Sequence, residues 1–300
     1  MYIVDLNWEV FLKSLTLIIL FAASGAFALS SLNDASEVLK KTDSSVVILG
    51  ADHANPGLAK GITDLLASLQ NQSNVNCLFL ELPSDIQNKL SQAIEENSLK
   101  QFSRAFLDSK INATTAAYIQ LGAPSEISDK IREAFAAHYD DEMVDNSVSS
   151  QLINFLQIHH IHALAFDASS ESEEFREATY YSIQDQISGR TLERDIKSMK
   201  VSNRRSQIMS QNIKETFKAH SCERALVVVG YAHLFSNDYF KKTYSTDISL
   251  KPLQIFLNEM GLKTTVLLSE KAETLINTSL DPGNDADDRF PFYFGKLLNP

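Results

Sequence analysis

The 300 residues, 44% hydrophobic and 22% charged, have the balance of an ordinary globular chain with room for one sizeable core. Acidic residues outnumber basic ones by 38 to 27, and the formal net charge of −11 is offset by no Lys/Arg-rich segment. That balance argues against a nucleic-acid partner.

The first element in the chain is an apolar run, Leu15 to Phe27, followed by the small-x-small pattern Ala26-Phe27-Ala28. It reads as a secretory signal over residues 1–28, cleaved after Ala28, which predicts a secreted or periplasmic protein with no membrane span after cleavage. The n-region carries Asp5 and Glu9 against Lys13 alone, so an uncleaved anchor is the rival reading, although the run is short for a span of about 20 residues. No Cys follows the run, which argues against lipoprotein attachment. The remainder, residues 29–300, contains no Gly/Ser/Pro linker and reads as one domain.

Ser30 to Ser45 is expected to form a helix and loop, with Leu39 on its apolar face. Val46-Val-Ile-Leu-Gly-Ala-Asp-His53 follows, a β-branched apolar run that reaches a Gly with a His three residues beyond. A run apolar at every residue suits a strand buried on both faces, as in a parallel sheet covered by helices. Asn55-Pro-Gly is a turn, and Leu58 to Leu69 has apolar residues at helical spacing. Cys77 to Pro83 is a second buried strand, with Glu81 at its carboxyl end. A βαβ unit would place His53 and Glu81 at the same edge of neighbouring strands.

Residues 84–156 read as a helical insertion that caps the crevice or covers one sheet face. The expected helices are Ile86–Glu96, Leu99–Asp108, Ala113–Leu121, Ile127–Tyr139 and Glu142–Leu156. His162 to Asp167 is a third strand, ending in a carboxylate, and Ser182 to Ala219 is helical with a break at Gly189. Ala225 to Val229 is the fourth strand, running into Gly230-Tyr-Ala-His233 and so repeating the earlier design. A helix over Leu250–Met260 with Gly261 as its C-cap and a strand over Thr264–Leu268 complete the pattern. The tail Asp281–Asp288 is turn-rich and expected to be exposed.

The predicted fold is therefore α/β: a central, mainly parallel sheet of two related halves, with helices on both faces. Gly50 and Gly230 would let the chain turn as each strand ends. Four strand ends carry His53, Glu81, Asp167 and His233, at the sheet edge where open α/β folds place their crevices. Such a set could bind a divalent metal ion through His53, Glu81 and His233, or use a His general base oriented by a carboxylate. Asp52 could hold His53, or cap the next helix. His159, His160 and His162 form a local cluster that invites a metal reading, but two of them precede their strand, at the opposite edge of the sheet from the site. Arg205, Met209 and Asn212 share one helix face, which either turns inward to polar partners or belongs to a solvated basic helix. Cys77 and Cys222 either pair in an oxidising compartment, which needs their strands adjacent or nearly so, or stay buried thiols.

In order, Gly50-Ala-Asp-His53, Leu80-Glu81, Phe166-Asp167, Arg205-Ser-Gln-Ile-Met209-Ser-Gln-Asn212-Ile213 and Gly230-Tyr-Ala-His233 resemble the superfamily that joins erythromycin esterases, ChaN-like haem-uptake proteins and Tiki/TraB proteins. The resemblance covers most of residues 46–268. It implies two related halves with the site between them: paired His and acidic residues activating water in the esterase branch, metal-ligating Gly-x-x-His pairs in the Tiki branch, haem binding in the ChaN-like branch. Two departures stand out. Ala51 follows the first Gly where the esterases have Glu, and Ser206 follows the Arg where they have Asp, which places macrolide-esterase activity in doubt. The expected function is hydrolysis of an ester or peptide bond in a small-molecule or peptide substrate, with Arg205 stabilising negative charge. The alternatives are a haem- or ligand-binding protein, with Tyr231 or a His at the crevice as the natural iron ligand, and a secreted effector on the same fold.

Overall fold

A strand that is apolar at every residue needs cover on both faces, and the sheet these runs build has it. The computed structural model describes residues 26–29, 43–51, 53, 57–69, 74–123, 127–136, 143–145, 147–189, 191–234 and 249–269. In chain order these hold strand β1 (Ala26–Leu29), β2 (Val46–Ala51), helix α1 (Leu58–Leu69), β3 (Val75–Pro83), α2 (Gln87–Glu95), α3 (Lys100–Gln120) and α4 (Ile127–Ala136). A short β4–β5 hairpin follows (Met143–Asp145 and Val148–Ser149), then α5 (Ser150–Ile158), β6 (His162–Asp167), α6 (Glu173–Ser188), α7 (Leu192–Ala219), β7 (Arg224–Gly230), α8 (Leu253–Glu259) and β8 (Thr264–Ser269).

The six sheet strands are parallel, in the order β1-β8-β2-β7-β3-β6. The α/β class is as the sequence predicts, but the halves interleave: β7 lies between β2 and β3. The neighbouring βαβ pair expected for His53 and Glu81 does not form, because the crossover from β2 to β3 leaves room for a strand from the second half. The two Gly-x-x-His strands are the adjacent ones.

Period-two alternation sorts the strand residues between two cores. Val47, Leu78, Leu80, Leu226 and Val228 pack with α1, α2, α5 and the start of α3. Val46, Ile48, Phe79, Phe166, Val227 and Val229 pack with Met209 and Ile213 of α7 and Leu253 and Leu257 of α8. Each fully buried Leu, Ile, Val or Phe contributes about 1.5–3 kcal/mol of transfer free energy. The insertion thus covers one face, while the end of α3 joins α4 and α6 in a satellite cluster around Tyr118 and Ile131.

Two parts of the insertion differ from expectation. The helices predicted at Leu99–Asp108 and Ala113–Leu121 are one continuous α3, since no Gly or Pro interrupts it and Ile111 is buried at the supposed break. The helix predicted from Glu142 starts only at Ser150, capped by the Ser149 side chain, which accepts from Leu152 N–H; the residues before it form the β4–β5 hairpin. Elsewhere α6 begins at Glu173 rather than at Ser182, with Ser172 as its cap, and Gly189 breaks α6 from α7 at φ 73°. Gly261 ends α8 at φ 87°, as expected of a C-cap.

β1 spans the expected cleavage point, so cleavage after Ala28 would leave only Leu29 of that strand and make β8 the edge. Most of residues 1–28, the helix expected in Ser30–Ser45, Asp52 and the tail Asp281–Asp288 lie outside the described residues. Among the described residues no helix is long and apolar enough to cross a membrane.

Cys77 on β3 and Cys222 just before β7 form a disulfide with Cα atoms 5.8 Å apart, within the usual span. Their strands are adjacent, which was the condition for pairing. The bridge closes a sequence separation of 145 residues, and Cys77→Ala/Cys222→Ala is expected to cost about 2–5 kcal/mol in urea unfolding. Thiol titration of the unfolded, unreduced wild type should find no free thiol.

Candidate active site

The carboxyl edge of β2, β7, β3 and β6 gathers the residues that sequence placed at strand ends. Glu81, on β3 just beyond the last residue laddered to β7, is the centre. Its side chain is 10% exposed, and both oxygens are occupied. Oε2 lies 3.0 Å from His53 Nε2 and accepts the Gly230 N–H at 2.6 Å. Oε1 lies 3.3 Å from His233 Nε2 and 3.4 Å from Arg205 Nη2. Burial alone would raise this carboxyl, but the charges and hydrogen bonds of His233 and His53 outweigh it and hold Glu81 well below the usual carboxylate range. Glu81 is therefore ionised at neutral pH and acts only as an acceptor.

The two histidines differ in access. His233, at the end of a 3-10 turn (Tyr231–His233), is buried, while the His53 side chain is 32% exposed. His233 Nδ1 lies 2.8 Å from Ser206 Oγ, which also lies 2.9 Å from Ser202 C=O, so the Ser206 hydroxyl fixes the orientation of the ring. His53 is the imidazole of this pair that solvent, and hence a substrate, can reach.

Arg205 and Asp167 form the second layer. The Arg205 guanidinium donates through Nε and Nη2 to both Asp167 oxygens, the Nε bond at 3.2 Å, and lies over the Phe175 ring at 5.7 Å from its centroid. Burial would lower its pKa, but the charges of Asp167 and Glu81 raise it, so the cation is fixed. Asn212, two turns on, donates to the Phe166 and Asp167 carbonyls at 3.1 and 3.3 Å. The Arg205–Met209–Asn212 face is thus the inward one, and the solvated-helix reading fails at these residues. Asp85 completes the frame by accepting from Ser170 N–H and Oγ, both at 2.7 Å, tying the end of β3 to the loop after β6.

Ser206 is the site residue that sequence reasoning passed over, noting it only as a departure from the esterase pattern. Its signal was a polar residue in the buried stripe Ser206, Met209, Ser210, Ile213. Gly230 also has a role other than the one expected. Its φ of −63° suits any residue, and β2 likewise runs on through Gly50 to Ala51, so neither glycine turns the chain. At Gly230 the constraint is space: a Cβ there would stand 3.3 Å from both Glu81 Oε2 and His53 Cδ2. Gly230→Ala is expected to cost about 1–3 kcal/mol by overpacking, and to lower any turnover by more than its stability loss explains, because it pushes His53 off Glu81. Urea unfolding beside single-turnover kinetics separates the two effects.

His53, Glu81 and His233 direct both imidazole Nε2 atoms onto the carboxylate, and Arg205 holds a fixed positive charge beside it. In this arrangement the imidazoles are hydrogen-bonded to the carboxylate, and among the described residues no group of three His, Cys, Asp or Glu side chains is arranged to hold a metal. Tyr231, the candidate iron ligand, is partly exposed in the same turn as His233. The His159–His160–His162 cluster lies at the amino edge, away from this site.

No family model matches the chain, and no curated protein matches it. Among solved structures, the type III effector HopBA1 superposes with a TM-score of 0.45 at 14% identity, covering 69% of this chain and 74% of that one.

Proposed function

We propose that the chain is a secreted or periplasmic hydrolase of ester or peptide bonds in a small-molecule or peptide substrate, with His53 as general base. One observation carries the reading: a single buried carboxylate, Glu81, receives an exposed and a buried histidine on its two oxygens. If His53 gives its Nε2–H to Glu81, its basic nitrogen is Nδ1, and that atom takes the proton from attacking water. Glu81 orients the ring and offsets the imidazolium that forms, as the carboxylate does in other His–acid pairs. Arg205 Nη1, which makes no hydrogen bond among the described residues, would stabilise the developing oxyanion. Asp167, His233 and Ser206 hold these groups in place. The Cys77–Cys222 disulfide supports the export part of the proposal, because such bridges persist in oxidising compartments. The ordered motifs that resemble the esterase branch support the reaction class.

The test is hydrolysis of an ester and peptide panel by the wild type, His53→Ala and His233→Ala, with metal content measured in parallel. Both variants are expected to lose activity by about 10²–10⁴-fold and keep their circular dichroism, while His160→Ala remains unchanged. A wild type that hydrolyses nothing but binds haem stoichiometrically would overturn the enzyme reading. Activity that tracks a bound ion at His53 would replace the metal-free base with a metal-bound water.

A further inference from the structure

A second histidine cluster stands at the other edge of the sheet. His162 opens β6, and His220 caps the end of α7, 58 positions later in the chain. Their ring centroids stand 5.2 Å apart, with the ring planes tilted at 53° to each other. Both side chains are exposed, and both line a cavity of about 300 Å³ that also takes in Gln87, Glu95, Gln157 and His160. His159, by contrast, stacks on Phe155 at 4.3 Å and does not line it.

The pair is held by the backbone. In register, Cys77 lies directly opposite His162. Its disulfide partner, Cys222, is two residues past His220, so the bridge fastens the α7–β7 turn against β3 with His220 next to His162. His160, which lines the cavity, and Ser221, next to His220, adopt positive φ, 54° and 51°. Two imidazoles held at this spacing, one by the β3–β6 ladder and one beside the disulfide, match a particular use. On a tetrahedral ion with metal–nitrogen bonds of about 2.1 Å, two imidazole centroids stand about 5 Å apart.

The geometry points to a zinc-class metal site at the amino edge, with His162 and His220 as ligands and His160 or Glu95 as the third donor. Imidazole with carboxylate is a donor set for zinc and neighbouring divalent transition ions rather than for magnesium or calcium. No three such side chains already stand in ligand geometry among the described residues. The third bond therefore needs a rotamer change, which the exposed His160 and Glu95 side chains are able to make. Closing it would tie α2 or the α5–β6 turn to the α7–β7 turn across β6. The site does not depend on the proposed hydrolase chemistry at the opposite edge.

The experiment is calorimetric titration of the full, tag-free chain with Zn²⁺, and with Co²⁺ as a spectroscopic probe. The wild type is expected to bind one zinc with micromolar affinity and to give the visible bands of tetrahedral cobalt. His162→Gln and His220→Gln should each weaken zinc at least tenfold and remove those bands, whereas His53→Ala/His233→Ala should leave both unchanged. Zinc lost in His53→Ala/His233→Ala and kept in His162→Gln/His220→Gln would overturn the inference, as would no saturable zinc binding by the wild type. If the double His162→Gln/His220→Gln variant loses its circular dichroism, His220→Gln alone decides, since that side chain lies exposed past the end of α7.

Discussion

Glu81→Gln should lower hydrolysis by about 10²–10⁴-fold, as much as loss of either histidine. Every group around the carboxylate is a donor: Gly230 N–H, His53, His233 and Arg205. An amide of the same shape must turn its NH₂ toward one pair of them, so one pair loses its acceptor whichever way it flips. The expected stability loss is about 1–3 kcal/mol, small enough to leave the chain folded. The triple variant with both histidines removed should be scarcely less active than Glu81→Gln alone, because groups that act as a unit are non-additive. Acid titration checks the electrostatics separately. The folded pKa of Glu81 is depressed, so its stabilisation is complete above the unfolded value of about 4.3 and is lost as pH falls through the folded value. The stability gap between wild type and Glu81→Gln should accordingly narrow below about pH 4. A gap that stays constant down to pH 2 would mean that Glu81 is not held ionised by its neighbours.

What could be read from the chain alone was whatever depends on local pattern. The runs ending at Gly50, at Glu81, at Asp167 and at Gly230 announced buried parallel strands, because continuous apolar residues have no other economical place in a covered sheet. Their shared carboxyl edge followed, and with it the meeting of His53, Glu81, Asp167 and His233. Strand order did not follow. Nothing local tells β7 to enter between β2 and β3, since that choice rests on long-range packing of α1 and α7 on opposite faces. The same limit hid Ser206, whose role exists only once β7 brings His233 over α7. It also hid the place of His220 beside the His160–His162 cluster: His220 is remote in sequence from His162, and the disulfide and the β3–β6 register bring them together. In the insertion, the β4–β5 hairpin was missed although Val144-Asp-Asn-Ser-Val148 carries a turn signal between β-branched residues; the apolar residues after it suggested a longer helix than Ser149 allows.

The ion pair between Arg205 and Asp167 separates stability from catalysis. Asp167 is almost wholly buried and Arg205 is 14% exposed at its side chain, so Asp167→Leu leaves a buried cation with only Glu81 and the Phe175 face for company. The expected cost is about 3–5 kcal/mol, which corresponds to a fall in Tm of roughly 6–20 °C for a chain of this size. Arg205→Met strands Asp167 in the same way. Removing both charges together is different, because neither is then left unpaired, and well-packed apolar replacements often restore what a buried pair contributes. Asp167→Leu/Arg205→Met should therefore be more stable than either single variant. Its hydrolysis should nonetheless stay as low as that of Arg205→Met, since no cation remains to meet the oxyanion. Thermal unfolding and kcat/KM on the same four proteins give both cycles. A double variant no more stable than the singles would show that the two side chains act separately. A double variant with recovered activity would show that Arg205 serves the fold and not the reaction.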